Sequence, residues 1–282
     1  MKTFSEQINE KQTQPARDRT EVRGVFSTQE IRKVGTGTTT RKTVQKTFWF
    51  IEQRGDVIEC QPLNPNYVPS GPKKKISMDE LIAKFSPEPE FYQNSVYPKM
   101  REMQQSVSNG DSHREKGETF AAEFEYSRAL HVDEENVRAN FGIGLTYMER
   151  GDLEKAQNIF ERLVKLDGAF ETEHKHLFNE FGIHLRKNKM LAQSVEYYQR
   201  ALQLSRSDEN IFLNLARVLL ETNDIDGCLN NLLEAWKLAP THETTLTFLQ
   251  WLLRKNLVPA ERVDEVREIL GNAGDAGTAD EQ

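Results

Sequence analysis

The sequence predicts a mostly α chain: an α-solenoid of four helix–turn–helix units with a capping helix pair, preceded by a small α+β module with a β-hairpin. Three observations predict it. A helix–turn–helix skeleton returns every 34 residues between about residues 103 and 242, and a fixed period of that size means a stacked array. A run of β-branched and aromatic residues, Val44 to Gln53, is followed after a tight turn by a second, Val57 to Cys60. Two more amphipathic helical stretches follow the last unit, where a stack needs a polar outer layer.

Bulk properties agree with a well-solvated solenoid. The chain has 282 residues, 29% of them charged and 37% hydrophobic, and no apolar run approaches the ~20 residues of a membrane span. Residues 1 to 21 contain no apolar stretch of the secretory type. The two cysteines, Cys60 and Cys228, belong to different segments and form no CxxC, so they read as reduced thiols and place the chain in a cytoplasm. The net charge of -7 conceals an asymmetry. Residues 1–77 hold 14 Lys+Arg against 8 Asp+Glu, or +6, so the remainder carries -13.

Taken in order, residues 1–23 are polar and aperiodic and predict a disordered tail. Residues 24–90 predict the α+β module. Phe48 and Phe50 share one parity of a strand, Trp49 and Ile51 the other, so the strand is expected to be covered on both faces. Gln53-Arg54-Gly55-Asp56 reads as the turn into the returning strand. Ser77 with Glu80 is a capping box, opening a helix whose apolar face is Met78, Leu81, Ile82 and Phe85. Pro87 and Pro89 are expected to stop that helix, and Pro98 to start the next. Residues 98–272 predict the solenoid with its cap, and 273–282 a second disordered tail.

Within the array, Gly144 and Tyr147 are followed by a turn at Gly151-Asp152, then Ala156, Phe160 and Leu163 to Asp167. Gly110, Gly117, Ala122, Tyr126 and Ala129 stand 34 residues earlier. Gly182, Ser194, Tyr198 and Ala201 stand 38 later, so four residues are inserted near Glu171 to His174. Ala216, Cys228, Leu232, Ala235 and Pro240 follow at a further 34. The small residues mark close helix crossings and the large ones the knobs that fill them. Cys228 occupies a small-residue position and reads as packing.

This pattern resembles the tetratricopeptide repeat: small-large-small positions at the family's 34-residue period across roughly half the chain. Gly168 and Arg206 stand where the family has an inter-unit proline, and Lys189 and Asn223 where it has the turn glycine. The resemblance implies a right-handed superhelix whose first helices line a concave face that grips a peptide or helix of a partner protein. Helical geometry then nominates lining residues. The second unit offers Arg138, Phe141, Leu145 and Met148, the third His176, Asn179, Ile183 and Arg186, and the fourth Asn210, Leu213, Asn214 and Arg217. Some family members grip a C-terminal carboxylate with a fixed Lys/Asn/Lys/Arg set. That set is absent here, so the activity does not carry over.

The residues offer no catalytic constellation, and the chain reads as a non-enzymatic adaptor without cofactor or metal. Gly35 to Thr40 lacks the third glycine of a dinucleotide fingerprint and reads as a turn. His174 and His176, two apart and without a third ligand, make no zinc site. The alternative to a protein-binding adaptor is regulatory binding of nucleic acid or a small ligand by the basic front module, with the array as docking arm. For nucleic acid, Arg32, Lys33, Arg41, Lys42, Lys46, Lys73, Lys74 and Lys75 would meet phosphates while Trp49 or Phe48 stacks on bases.

Overall fold

The structure is a computed structural model that describes residues 21–34, 41–170, 174–204 and 207–276. The expected tails up to residue 20 and from 277, the Gly35 to Thr40 turn, and the insertion at 171–173 lie outside the described residues. The chain divides into two compact units between Gln105 and Ser106.

The first unit is built on an antiparallel sheet of order β4-β3-β2-β1-β5. Its strands are β1 (Arg23–Val34), β2 (Arg41–Arg54), β3 (Val57–Pro62), β4 (Lys74–Ile76) and β5 (Ser86–Pro87). The hairpin β2–β3 closes on Gly55-Asp56, with Arg54 opposite Val57 and Gly55 at φ 60. That left-handed value is what the first central residue of such a two-residue turn demands. The central strand is covered on both faces. Ile51, Ile58, Cys60 and Leu81 form one core with Trp49 and Phe85; Val25, Phe50 and Val96 form the other with Phe48, Phe91 and Tyr92.

Helix α1 (Met78–Lys84) opens as its capping box requires, the Ser77 Oγ accepting from the Glu80 amide at 3.1 Å. Its face is narrower than expected. Only Leu81 is buried in it, while Met78 and Ile82 are exposed. The helix ends at Lys84, ahead of Pro87 as expected. Pro87 itself enters β5, and Pro89 begins helix α2 (Pro89–Phe91) as a proline at a first helical position can. A π turn, Tyr92–Val96, and α3 (Tyr97–Glu115) continue directly from it. Pro98 therefore starts nothing: it lies inside the helical run, just after the wide turn, where the missing N–H is accommodated by altered ladder spacing.

The second unit is helical. After α3 come α4 (Thr119–Val132), α5 (Val137–Arg150), α6 (Leu153–Leu163), α7 (Lys175–Lys187) and α8 (Leu191–Leu204). Then follow α9 (Glu209–Glu221), α10 (Ile225–Leu238), α11 (Glu243–Arg254) and α12 (Val263–Ala276). Turns recur with the period: Gly117, Gly151, Lys189, Asn223 and Asn256 all take positive φ, between 54 and 83. The small-large code is visible as contact. A Cβ added to Gly110 would lie 2.7 Å from the Tyr126 ring, and one on Gly142 would also strike that ring. Tyr198 fills the gap at Gly182 in the same way, whereas the nearest side chains at Gly144 are Phe181 and Ile159 rather than Phe160, which stands at the repeat position of Tyr126 and Tyr198.

Candidate functional site

The candidate site is the row of first helices α5, α7 and α9. The starts of α5 and α9 are fixed by side chains: Asn136 Oδ1 accepts from the Ala139 amide at 2.9 Å, and Asp208 Oδ1 from the Asn210 amide at 3.0 Å. First helices are tied by polar links one or two repeats apart. Arg114 Nη1 donates to Glu149 at 2.8 Å and to Glu180 at 3.1 Å. One unit-pair later Arg186 pairs with Glu221, which also takes Lys189 at 2.9 Å. Burial pulls the Arg114 guanidinium down, but Glu180 and Glu149 outweigh it and hold it above its ordinary range. The Lys189 hydrogen bond, helped by Arg186, lowers Glu221.

Between these links lies a smaller cluster. Asn214 Nδ2 donates to Asn179 Oδ1 at 3.5 Å, and Arg217 Nη1 donates to Asn214 Oδ1 at 3.2 Å. Tyr198 reaches the Asn179 carbonyl at 3.5 Å. Arg217 is half-buried; burial lowers its pKa first, and the like charge of Arg186 lowers it further. Among the described residues its guanidinium meets an amide oxygen and no carboxylate.

The nominated lining residues divide sharply. Asn179, Ile183, Arg186 and Arg217 are partly open, and His176 and Arg138 are exposed, with Arg138 paired to Asp111 at 2.7 Å. Phe141, Leu145, Met148 and Leu213 are corrected: all four are buried core residues, because α5 and α9 are packed by both flanking helices and by the neighbouring first helix. Asn214 is buried as well and spends its amide on Asn179 and Arg217. Asn210 turns its amide to Asp208 and Glu209 at the helix start. Sequence reasoning passed over Glu149, Glu180 and Glu221, although Glu149 and Glu221 lie about one period, and Glu180 about two, from the arginine each pairs with.

The basic residues of the first unit also separate. Lys46 is held by Glu88 at 2.5 Å, Lys74 lies over the Trp49 ring, and Lys75 stands opposite Glu59 in the ladder. Lys73 is exposed. The side chains of Arg32, Lys33, Arg41 and Lys42 lie outside the described residues; only their register is given. Trp49 packs on Phe85 and Phe48 on Phe91, so both are core rings rather than base-stacking platforms.

Residues 137–170, the second helical unit, match the family model of the tetratricopeptide repeat. That unit is a tetratricopeptide repeat by its sequence. A stretch of 90 residues is 30% identical to the Sol locus transcriptional repressor of Clostridium acetobutylicum, covering 32% of this chain and 27% of that protein. The chain thus spans about a quarter of that relative's length. Among solved structures, MamA from Desulfovibrio magneticus RS-1 is 12% identical with a TM-score of 0.45, over 64% of this chain and 98% of that one. YrrB, described as a TPR protein with an unusual peptide-binding site, is 20% identical with a TM-score of 0.40, over 63% and 91%. Pseudomonas aeruginosa pilF is 14% identical with a TM-score of 0.43, over 61% and 77%.

Cys228 sits where the repeat code asks for a small residue. It is fully buried, and burial pushes its thiol up to about 12, which suits packing and not redox chemistry. Among the described residues no group of three His, Cys, Asp or Glu could hold a metal ion, and no helix is long and apolar enough to cross a membrane.

Proposed function

We propose that the repeat array is a non-enzymatic, intracellular adaptor whose first-helix face takes an acidic segment of a partner protein. The observation that carries this reading is Arg217. A cation held half-buried beside the like charge of Arg186, with an amide oxygen as its hydrogen-bond acceptor, is costly until an anion arrives. A partner carboxylate beside Arg217 would offset that repulsion and give Arg217 the charge-assisted bond it lacks in the free protein, where Arg186 already has Glu221. Asn179 and Ile183, partly open on α7, supply a polar and an apolar contact beside it.

The test is selection from a random library of 12-residue peptides on the full chain, repeated with Arg217→Gln. Enrichment of Asp or Glu in the selected peptides is expected. Affinity in the variant should fall roughly 10- to 100-fold, the ~1.5–3 kcal/mol of a hydrogen bond to a charged group. Selected peptides without acidic residues, or unchanged binding by the variant, would sink the reading.

A further inference from the structure

The first-helix face continues past the fourth unit. Helix α11 begins at Glu243, 34 residues after α9 begins at Glu209. Its burial repeats that of α9 in the same register. Ile211, Leu215 and Val218 are buried in α9, and Thr245, Leu249 and Leu252 are buried 34 residues later in α11. Both helices thus turn the same stripe inward. Asn214 and Arg217 of α9 therefore answer to Phe248 and Trp251 of α11, which stand at the same two repeat positions. Residues at one position of successive units line up along a stack. One such row is Ile183, Arg217 and Trp251, each 34 residues from the next and each open to solvent at least in part.

The aromatic residues of α11 form an open shelf. Their rings meet edge to face, with 6.1 Å between centroids and 61° between planes. Trp251 nonetheless keeps 40% of its surface exposed, and Phe248 is partly open. A helix that only shielded the last unit from water would carry polar residues at these positions. The charge at this end of the face is positive. Arg254, in the last turn of α11, and Lys255, just after it, are both exposed. An apolar shelf beside cations is complementary to a segment that is itself both apolar and acidic.

We infer that Arg217 and Trp251 form a two-part docking site for a peptide segment whose acidic residue is followed or preceded, at a distance of about three residues, by a large apolar one. The site rests on the acidic-partner reading of Arg217 and adds a second anchor to it. The acidic residue meets Arg217, and the apolar one lies against the Trp251 and Phe248 rings, whose open surface it takes out of water. Arginine and tryptophan are the side chains that most often carry the energy of an interface. Packed helices stand about 10 Å apart, and an extended chain at ~3.3 Å per residue covers that step in about three residues. Single-stranded nucleic acid also stacks on exposed rings beside cations. Its continuous phosphate charge, however, meets the Glu221 carboxylate one turn from Arg217, whereas a peptide carries charge only opposite the cation.

The experiment selects 12-residue peptides from a random library on the full chain, on Arg217→Gln and on Trp251→Ala, then measures a labelled selected peptide by fluorescence anisotropy. The parent should enrich peptides that pair an acidic residue with a large apolar one at the stated spacing. Trp251→Ala should lose the apolar preference and keep the acidic one, and Arg217→Gln should do the reverse. The selected peptide should bind Trp251→Ala about 30-fold more weakly, the loss that marks an anchoring residue. Replacing the apolar anchor of the peptide by alanine should cost the parent the same factor, an arm that alters no residue of the protein. Acidic enrichment without an apolar anchor, or an alanine peptide that binds the parent unchanged, would overturn the inference and leave the Arg217 reading standing. So would a folded Trp251→Ala that keeps the apolar preference. Apolar enrichment without acidic residues would sink the Arg217 reading and this site with it. Displacement of the peptide by a single-stranded oligothymidylate at comparable concentration would assign the face to nucleic acid and overturn the inference as well.

Discussion

The second and third repeats share a skeleton but fill matching positions with different chemistry. In the second, α5 is buried without a break from Ala139 to Met148. In the third, α7 buries only Phe178, Phe181, Gly182 and Leu185, leaving Asn179, Ile183, His184 and Arg186 partly open. The pairs stand 38 residues apart: Leu145 answers to Ile183, Thr146 to His184, Gly151 to Lys189. One repeat position can thus be core in one unit and open surface in the next. The code fixes the small-large stripe, and the neighbours decide the remainder.

The most direct way to break this comparison is to truncate both members of the first pair. Leu145→Ala empties a fully enclosed site and should cost about 3 kcal/mol, within the usual range for buried leucine. Ile183→Ala removes a side chain that already meets solvent and should cost about 1 kcal/mol. Urea unfolding of the two variants measures the difference. Equal losses would mean that α7 is as enclosed as α5 and that the distinction between the units is false.

That distinction also marks how far the sequence could be read. The repeat period, the Ser77 capping box and the two-faced strand around Phe50 were legible because each depends on residues close together in the chain. Strand β1 was not. Arg23–Val34 carries few apolar residues, and it becomes a strand through pairing along its whole length with β2. The burial of α5 was equally hidden. A single stripe of small and large residues implies one buried face, and Asn140 and Thr146 look like the solvent side. In the fold they satisfy themselves locally: Thr146 donates to the Gly142 carbonyl at 2.8 Å, and Asn140 to Glu134 and Asn136 at 2.9 Å. Polar residues with such partners can be enclosed at little cost, so helical geometry alone could not show that Phe141, Leu145 and Met148 lie in the core.

The turns sharpen the comparison on a smaller scale. Gly151 closes α5 at φ 83, and Lys189 holds the equivalent place after α7 at φ 61. A Cβ in this region is strained by roughly 1–2 kcal/mol. Lys189→Gly should therefore raise stability by about 0.5–1 kcal/mol, after the greater entropy of glycine in the unfolded chain and the loss of an exposed ion pair to Glu221 are subtracted. Lys189→Ala keeps the strain and should bring no gain. Thermal unfolding of both variants decides it, and a gain from alanine equal to that from glycine would refute strain as the cause.

The Thr146–His184 pair makes no difference at neutral pH and shows itself only in acid. Burial lowers the His184 pKa, with Lys187 and Arg114 acting in the same sense and Glu149 and Glu180 opposing. The folded chain therefore keeps the imidazole neutral at a pH where the unfolded chain, titrating near 6.5, has already bound a proton. Above that value both states are neutral and the group adds nothing. Below it the unfolded state gains the proton first, so stability falls as pH drops from about 6.5 toward the folded value, at no more than ~1.4 kcal/mol per pH unit. His184→Thr copies the second unit's residue at this position and should flatten the decline between pH 6.5 and 5, above the range where the lowered Glu221 begins to titrate. Urea midpoints across that window, parent against variant, test it. Parallel curves would show that His184 titrates alike in both states and that the third unit encloses it no more than solvent does.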